Sequence, residues 1–200
     1  MKILIVGATG LIGKAVADRL SPKHEIIRAG YREGDVKVDL GSKASIEAMF
    51  TAVGNVDAVV CTAGVAGFAP FNDLDDAAYD LALKNKLMGQ VNLVRAGQAH
   101  VNDGGSFTLT AGILSREPMP GSVVISIANG ALESFARAAA LELNRDLRVN
   151  TVSPVFVKET MEMMGMDPTS GLSAADTANA YEAAVEGEQN GATLDAPDYA

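Results

Sequence analysis

The sequence has few of the residues on which disulfide-bonded and metal-binding proteins depend. It contains one cysteine, Cys61, and two histidines among 200 residues. One cysteine excludes an internal disulfide, and the scarcity of cysteine and histidine argues against a metal site. No signal-peptide pattern precedes the first predicted strand. These absences lead us to expect a cytoplasmic protein that works without a metal.

Basic residues are also in the minority. Sixteen lysines and arginines face 25 acidic residues, which gives a formal net charge of −9. Such a chain has no basic stripe with which to neutralise the phosphates of a nucleic acid. No apolar run reaches the roughly 20 residues that a membrane-spanning helix needs. We therefore expect neither a nucleic acid nor a membrane as partner.

The sequence is rich in short apolar runs that alternate with segments of helical periodicity. Hydrophobic residues make up 48% of the chain, which suits one domain over residues 1–200. The alternation is typical of βαβ units and predicts an α/β fold, a doubly wound parallel sheet of about seven strands flanked by helices. The predicted strands are Lys2–Val6, Glu25–Ala29, Val36–Asp39, Asp57–Thr62, Ser106–Thr110, Arg148–Val152 and Ala192–Asp195. The predicted helices are Leu11–Leu20, Lys43–Val53, Asp75–His100 with a possible break, Ser122–Leu143 and Ala174–Glu186.

Three glycines join the first predicted strand to the first predicted helix. Gly7, Gly10 and Gly13 follow the apolar run that ends at Val6. A pyrophosphate must approach main-chain N–H groups closely, and a Cβ atom at such a turn would hold it away. The spacing therefore predicts a cradle for dinucleotide phosphates. The alternative is an ordinary connection between a strand and a helix.

Several later segments occur in the order found in short-chain dehydrogenases/reductases. The sequence resembles that family at Cys61–Gly64, Gly105–Thr110, Gly130–Leu132 and Asn150–Pro154. The resemblance implies a single Rossmann-like domain that binds NAD(P)(H). Together with the glycine loop it predicts a cofactor site formed by Gly7, Thr9, Gly10, Leu11, Ile12, Gly13, Tyr31, Arg32, Asp39, Leu40, Ala63, Gly64 and Pro154.

The resemblance fails at the positions that carry the chemistry. Family members place a tyrosine four residues before a lysine on the active-site helix, whereas this chain has Ile125 and Asn129 there. An isoleucine cannot donate a proton, although Asn129 could hold a ribose hydroxyl. Where the family has a substrate-positioning serine, this chain reads Thr110-Ala-Gly112, and Thr110 is a partial substitute.

The family also has an asparagine three residues before a helical glycine, and Lys86 stands there, three residues before Gly89. Lys86 could bring an ammonium group into the site. The favoured alternative is a solvated lysine beside Lys84. We name Lys86, Thr110 and Asn129 as candidate catalytic residues.

The stretch from Arg28 to Arg32 bears on the choice of cofactor. NAD proteins often place an acid at the end of the second strand, but this chain has Tyr31 and Arg32. Arg32 favours the extra phosphate of NADP(H), and Tyr31 can stack near the adenine. Asp39 resembles the family residue that meets the adenine edge, and the alternative for it is a turn aspartate.

Two further segments suggest how substrate and partner bind. A substrate loop is expected within residues 155–172, where Met161, Met163, Met164 and Met166 could form an apolar lid or simply pack locally. The predicted helix after Ser122 is apolar on more than one face, which favours burial against another subunit. The resemblance to the family implies a homodimer or homotetramer formed through this helix and the one before it.

Two functions fit these features. The first is an atypical NADP(H)-dependent oxidoreductase that acts on a small carbonyl or alcohol substrate without the usual serine, tyrosine and lysine relay. The second is a catalytically inactive regulatory or sensor protein that binds NAD(P)(H).

Overall fold

A parallel sheet with its strands in the order β3-β2-β1-β4-β5-β6-β7 forms the centre of the computed structural model, which describes residues 1–200. The order reverses between β1 and β4, so the loops that follow these two strands diverge and leave a crevice. The strands are β1 (Lys2–Val6), β2 (Glu25–Gly30), β3 (Val36–Lys37), β4 (Val56–Cys61), β5 (Val101–Thr110), β6 (Arg148–Ser153) and β7 (Thr193–Asp195). The predicted doubly wound parallel sheet is confirmed.

The helices cover both faces of this sheet. Leu4 and Val6 of β1 belong to a cluster under one helical layer, and Ile3 and Ile5 belong to a cluster under the other. Burial on both faces explains why the strands are continuous apolar runs. The helices are α1 (Leu11–Leu20), α2 (Lys43–Val53), α3 (Asp76–Leu81), α4 (Met88–Gly97), α5 (Val123–Ala139), α6 (Lys158–Met163) and α7 (Ala174–Glu186). None of them is long and apolar enough to cross a membrane.

The predicted helix Asp75–His100 consists of three parts. A π-helical turn, Ala82–Leu87, separates α3 from α4. Lys86 lies in this turn and is buried. Turns of this kind are often found at functional sites because they displace a side chain from the regular helical face.

Several predicted bounds were wrong. The helix Ser122–Leu143 is too long, since α5 ends at Ala139 and turns follow it. Strand β3 is shorter than predicted, and β5 begins at Val101 instead of Ser106. Helix α6 was not predicted, because its methionines resemble a loop cluster as much as a helical stripe. These differences concern ends and connections, where periodicity is a weak guide.

A polar contact inside the core ties α7 to the sheet. The Thr110 hydroxyl donates to the Cys61 carbonyl oxygen at 2.6 Å and lies 2.7 Å from the Tyr181 hydroxyl. Both side chains are buried. The buried Tyr181 hydroxyl has no other hydrogen-bond partner, so it depends on Thr110.

We predict that Tyr181→Phe lowers the free energy of unfolding by about 1 kcal/mol, because it removes one buried hydrogen bond. Chemical denaturation followed by circular dichroism measures the change. Tyr199→Phe is the matched control, since its hydroxyl forms no hydrogen bond in the structure. Equal stability of the two variants would contradict the structural role assigned to the contact.

Candidate functional site

Two adjoining cavities open at the carboxyl ends of the central strands. The outer cavity measures about 570 Å³ and lies between the loops after β1, β2 and β4. The inner cavity measures about 370 Å³ and lies between the loops after β4, β5 and β6. Thr62 and Gly64 line both cavities. An elongated ligand can therefore lie across the reversal of strand order.

The glycine loop forms the floor of the outer cavity. Gly7 has a φ of +88°, which disfavours any side chain, and a Cβ atom on Gly13 would overlap the Gly7 carbonyl oxygen. These two glycines allow α1 to start close against β1. At Gly10 a Cβ atom would have the Gly7 oxygen 3.4 Å away as its nearest neighbour, so the space above it is open.

Main-chain N–H groups at the start of α1 are without partners. No protein acceptor lies within hydrogen-bond distance of the N–H groups of Thr9, Leu11 and Ile12. Free N–H groups at a helix N-terminus, together with the helix dipole, attract phosphate. The residues present therefore fit the pyrophosphate of a dinucleotide.

The other predicted cofactor residues divide into two groups. Tyr31, Asp39, Leu40, Ala63 and Gly64 line the outer cavity. The side chain of Tyr31 is largely solvent-exposed and Asp39 is half-buried. The carboxylate of Asp39 accepts a hydrogen bond from the Gly41 N–H at 2.8 Å, which is the turn contact that the alternative interpretation required.

The remaining members of that set lie elsewhere. Ile12 and Pro154 line the inner cavity. Leu11, Gly13 and Arg32 line neither cavity. Gly13 acts through close packing, whereas Arg32 is an exposed neighbour of Tyr31.

Lys86 is the only charged residue that lines the inner cavity. Its residue exposure is 7%, and its Nζ donates to the carbonyl oxygens of Thr110 at 3.3 Å and Ala111 at 3.4 Å. Burial lowers the pKa of Lys86 from 10.5 to about 8. The interpretation of Lys86 as a solvated lysine was wrong, whereas Lys84 is exposed and pairs with Asp80. Residues two apart in a helical segment point to nearly opposite sides, so Lys86 faces the core while Lys84 faces outward.

Gln90 holds the carbonyl group to which Lys86 is bound. Its Oε1 accepts from the Thr110 N–H at 2.8 Å, and its Nε2 donates to the carbonyl oxygens of Thr110 at 3.0 Å and Lys86 at 3.2 Å. Gln90 is fully buried. One amide therefore fixes both the end of β5 and the turn that carries Lys86.

The position of the Thr110 side chain corrects the prediction that it replaces the family serine. Its hydroxyl lies in the core contact with Tyr181 and the Cys61 carbonyl oxygen. Alternation along β5 turns this side chain toward α7, away from Lys86. Thr110 reaches the inner cavity through its main chain, which binds Lys86 and Gln90.

Asn129 and Ile125 lie on α5 in the wall of the inner cavity. The Asn129 Nδ2 donates to the Gly112 carbonyl oxygen at 3.3 Å, while its Oδ1 is buried without a hydrogen-bond partner. An unpaired buried carbonyl oxygen costs about 1–3 kcal/mol unless a donor reaches it. A hydroxyl group of a bound molecule is a donor of the right kind.

The segment 155–172 borders the inner cavity, but not through its methionines. Phe156 and Thr160 are among the residues of this segment that line it. Met161 is buried, and Met163 and Met164 are exposed outside the wall. None of the four methionines lines the cavity in the structure, so the apolar lid stays a prediction beside the alternative of local packing. The aromatic side chains pair instead, since the rings of Phe68 and Phe156 lie 6.1 Å apart.

Sequence reasoning missed several residues of the site. Thr62 and Asn85 line the cavities, and Gln90 supports Lys86. Asn85 Oδ1 accepts from the Val65 N–H at 2.9 Å and so holds the loop after β4. A buried glutamine on a helix has no distinctive sequence signal. Asn85 precedes Lys86, and its proximity to that substituted position was the one available indication.

Known proteins share this architecture. The family model described as Enoyl-(Acyl carrier protein) reductase matches residues 6–192. The crystal structure of a Listeria innocua protein is 41% identical, with a TM-score of 0.94 and coverage of 98% of both chains. A structure described as a small-chain dehydrogenase in complex with NADPH is 26% identical, with a TM-score of 0.85 and coverage of 98% of this chain and 95% of that one.

Curated relatives match over a shorter part of their own sequences. Carbonyl reductase (NADPH) 2 of Sus scrofa is 31% identical over 142 residues, which are 68% of this chain and 54% of that protein. The chain spans about half the length of the curated relatives it matches. The match of the family model covers nearly the whole chain and agrees with the strand order and the glycine loop. This chain belongs to the short-chain dehydrogenase/reductase family.

Proposed function

We propose that this protein is an NADP(H)-dependent oxidoreductase that interconverts a small carbonyl compound and its alcohol without the usual relay of its family. The observation that carries the proposal is the buried Lys86 ammonium in the inner cavity, next to the glycine loop of the outer cavity. The NADPH in a related structure and the name of the Sus scrofa relative support the nucleotide and the substrate class.

In the proposal the outer cavity holds the dinucleotide. The N–H groups of Thr9, Leu11 and Ile12 would bind the pyrophosphate. Asp39 and Leu40 would contact the adenine. When bound, the nicotinamide supplies or accepts the hydride.

Preference for NADP(H) rests on the loop after β2. Tyr31 lies at the mouth of the outer cavity, 68% exposed, with Arg32 beside it. A guanidinium can form charge-assisted hydrogen bonds with the 2′-phosphate. No acidic residue ends β2 to hold a free ribose hydroxyl.

In the proposal Lys86 is the proton donor. An ammonium has three N–H donors, and the Thr110 and Ala111 carbonyl oxygens occupy two of them. The third would be free to donate a proton to the oxygen of a carbonyl substrate. In the oxidation direction the neutral amine takes the proton back. A pKa near 8 keeps both forms accessible at neutral pH.

Asn129 completes the proposed inner site. Its unpaired Oδ1 can accept a hydrogen bond from a ribose or substrate hydroxyl. This contact positions a ligand and transfers no proton, because an amide does not titrate at neutral pH. Pro154 and Ile12 form apolar wall beside it.

The second candidate function is a nucleotide-binding sensor without turnover. It is favoured by the side chains of the inner cavity, among which there is neither a tyrosine nor an acid. The two candidates differ in one measurable property, since only the oxidoreductase consumes NADPH when a carbonyl compound is added.

Assembly and location complete the proposal. Ile127 of α5 and Met88 of α4 are exposed apolar residues on the helices through which related enzymes are expected to associate. We retain a homodimer or homotetramer and a reducing, cytoplasmic setting as parts of the proposal.

We predict opposite results for two alanine substitutions in the glycine loop. Gly10→Ala should keep the stability of the protein but lower its affinity for NADPH at least 10-fold, because the methyl group enters the open space above the loop. Gly13→Ala should lower the stability itself, because its Cβ overlaps the Gly7 carbonyl. Thermal denaturation and fluorescence titration with NADPH measure the two effects. Unchanged NADPH affinity in a folded Gly10→Ala variant would exclude the phosphate cradle.

A second prediction concerns Arg32. Arg32→Ala should weaken NADPH binding about 10-fold, the size expected for loss of a charge-assisted contact, and leave NADH binding unchanged. Arg19→Ala is the matched control, since Arg19 lies on α1 in an ion pair with Glu182 outside both cavities. Parallel loss of affinity for both nucleotides would contradict a role in recognising the 2′-phosphate.

A third prediction concerns Lys86. Lys86→Met should lower kcat for NADPH-dependent carbonyl reduction about 100-fold, the lower range for a lost general acid. In the wild type the rate of reduction should fall as pH rises through about 8, because the ammonium form is the donor and its pKa lies there.

The control for Lys86 is Lys84→Met, which alters an exposed lysine on the same helical segment. Its kcat and pH profile should match the wild type. NADPH binding without any carbonyl-dependent oxidation in the wild type would favour the sensor, and an unchanged kcat in Lys86→Met would remove Lys86 from the chemistry.

A further inference from the structure

The charge in the wall of the inner cavity is unbalanced. Lys86 is the only charged side chain that lines it, and the remaining wall consists of apolar, hydroxyl and amide groups. Lys86 takes part in none of the ion pairs of the molecule. Its two hydrogen-bond acceptors are main-chain carbonyl oxygens, which carry no net charge.

The groups that face Lys86 do not supply a counter-charge either. The Cys61 thiol of β4 is the titratable group that acts on it, and burial raises the pKa of Cys61 to about 12, so the thiol is neutral. Thr110 and Ala111 of β5 and Asn129 of α5 are uncharged. Buried charges in proteins are normally paired, because an isolated ion loses its hydration without compensation.

Two aromatic side chains in the apolar part of the cavity wall can pack against the flat ring of a ligand. The rings of Phe68 and Phe156 come from the loops after β4 and β6, and their planes are inclined by 41°. Ile125 contributes to the wall from α5. A volume of about 370 Å³ is at the small end of the range for ligand pockets, about 300–1,000 Å³.

We propose that the inner cavity binds a flat, apolar molecule with one anionic oxygen, such as a phenolate, an enolate or an aromatic carboxylate, and that the Lys86 ammonium recognises this charge. The proposal rests on the proposed function in that the cavity adjoins the dinucleotide site, and it names a class of ligand that would compete with the carbonyl substrate for the free N–H of Lys86. The ligand supplies the counter-charge that the protein lacks, while its ring lies beside Phe68 and Phe156.

Two probes of the same shape test the recognition of charge. The anion is 2-naphthoate, and 2-acetonaphthone is its neutral ketone counterpart. Isothermal titration calorimetry at pH 7 should give an affinity at least 10-fold higher for 2-naphthoate, as a charge-assisted contact in a buried site requires. The measurement is made on nucleotide-free protein and on protein saturated with NADP⁺, because the oxidised nicotinamide carries a positive charge of its own.

Substitutions of Lys86 test whether its side chain causes the preference for 2-naphthoate over 2-acetonaphthone. In Lys86→Met and in Lys86→Gln the ratio of the two affinities should fall to about 1, and Lys84→Met should keep the wild-type ratio. Two variants are used because methionine is apolar and glutamine is polar. If one of these variants does not fold, the other still allows the measurement. Circular dichroism verifies the fold of each.

The pH dependence gives an independent signature. The affinity for 2-naphthoate should decrease as pH rises above about 8, where Lys86 loses its proton, while that for 2-acetonaphthone stays constant. Equal affinities for the two probes in wild-type protein, or a preference that survives in both Lys86 variants, would overturn the proposal.

Failure of this proposal is distinguishable from failure of the proposed function. NADPH is titrated into the same preparations. Absence of NADPH binding with an intact preference for 2-naphthoate contradicts the oxidoreductase and supports the anion site. NADPH binding and turnover without the preference contradict only the anion site.

Discussion

The reversal of strand order between β1 and β4 is the constraint on which the rest of the site depends. Neighbouring parallel strands whose connections leave in opposite directions cannot close their loops over one another, so a crevice remains at their carboxyl ends. Gly7 and Gly13 allow α1 to begin against this edge, which puts free N–H groups at its floor. The same edge brings the end of β5 opposite the turn that carries Lys86. The outer cavity follows from this one feature of the topology, and the inner cavity adjoins it at Thr62 and Gly64.

Lys86 is stable in its buried position because neutral groups share its hydrogen bonds. The carbonyl oxygens at the end of β5 have lone pairs left after the sheet ladder ends, and Gln90 keeps them oriented. The arrangement satisfies the donors of the ammonium only in part and leaves its charge without compensation. A group in this condition gains more from an incoming ligand than a fully paired lysine would. A ligand that binds at this position would therefore meet a local deficit of negative charge around Lys86.

The sequence predicted the sheet and the phosphate loop because both are encoded in local patterns. The run that ends at Val6 and the glycines after it leave few alternatives. Lys86 could be named as a candidate but not placed, because the pattern along the chain did not show which of Lys84 and Lys86 faces the core. Thr110 failed as a serine substitute because the alternation of β5 sends its side chain to the opposite face of the sheet. Gln90 and Phe156 act through contacts between distant segments, which a pattern along the chain does not record.

The π-helical turn gives two consecutive residues different surroundings. Asn85 lines the outer cavity and holds the Val65 N–H, while Lys86 lines the inner cavity and holds the end of β5. A displacement of this turn by a ligand in one cavity therefore moves a wall of the other. Thermodynamic linkage requires such an effect to be reciprocal. If a ligand in the outer cavity changes the affinity of the inner cavity for its ligand by some factor, the inner ligand changes the affinity of the outer cavity by the same factor. Any cooperativity between the two cavities that acts through this turn would therefore be a property of one backbone segment.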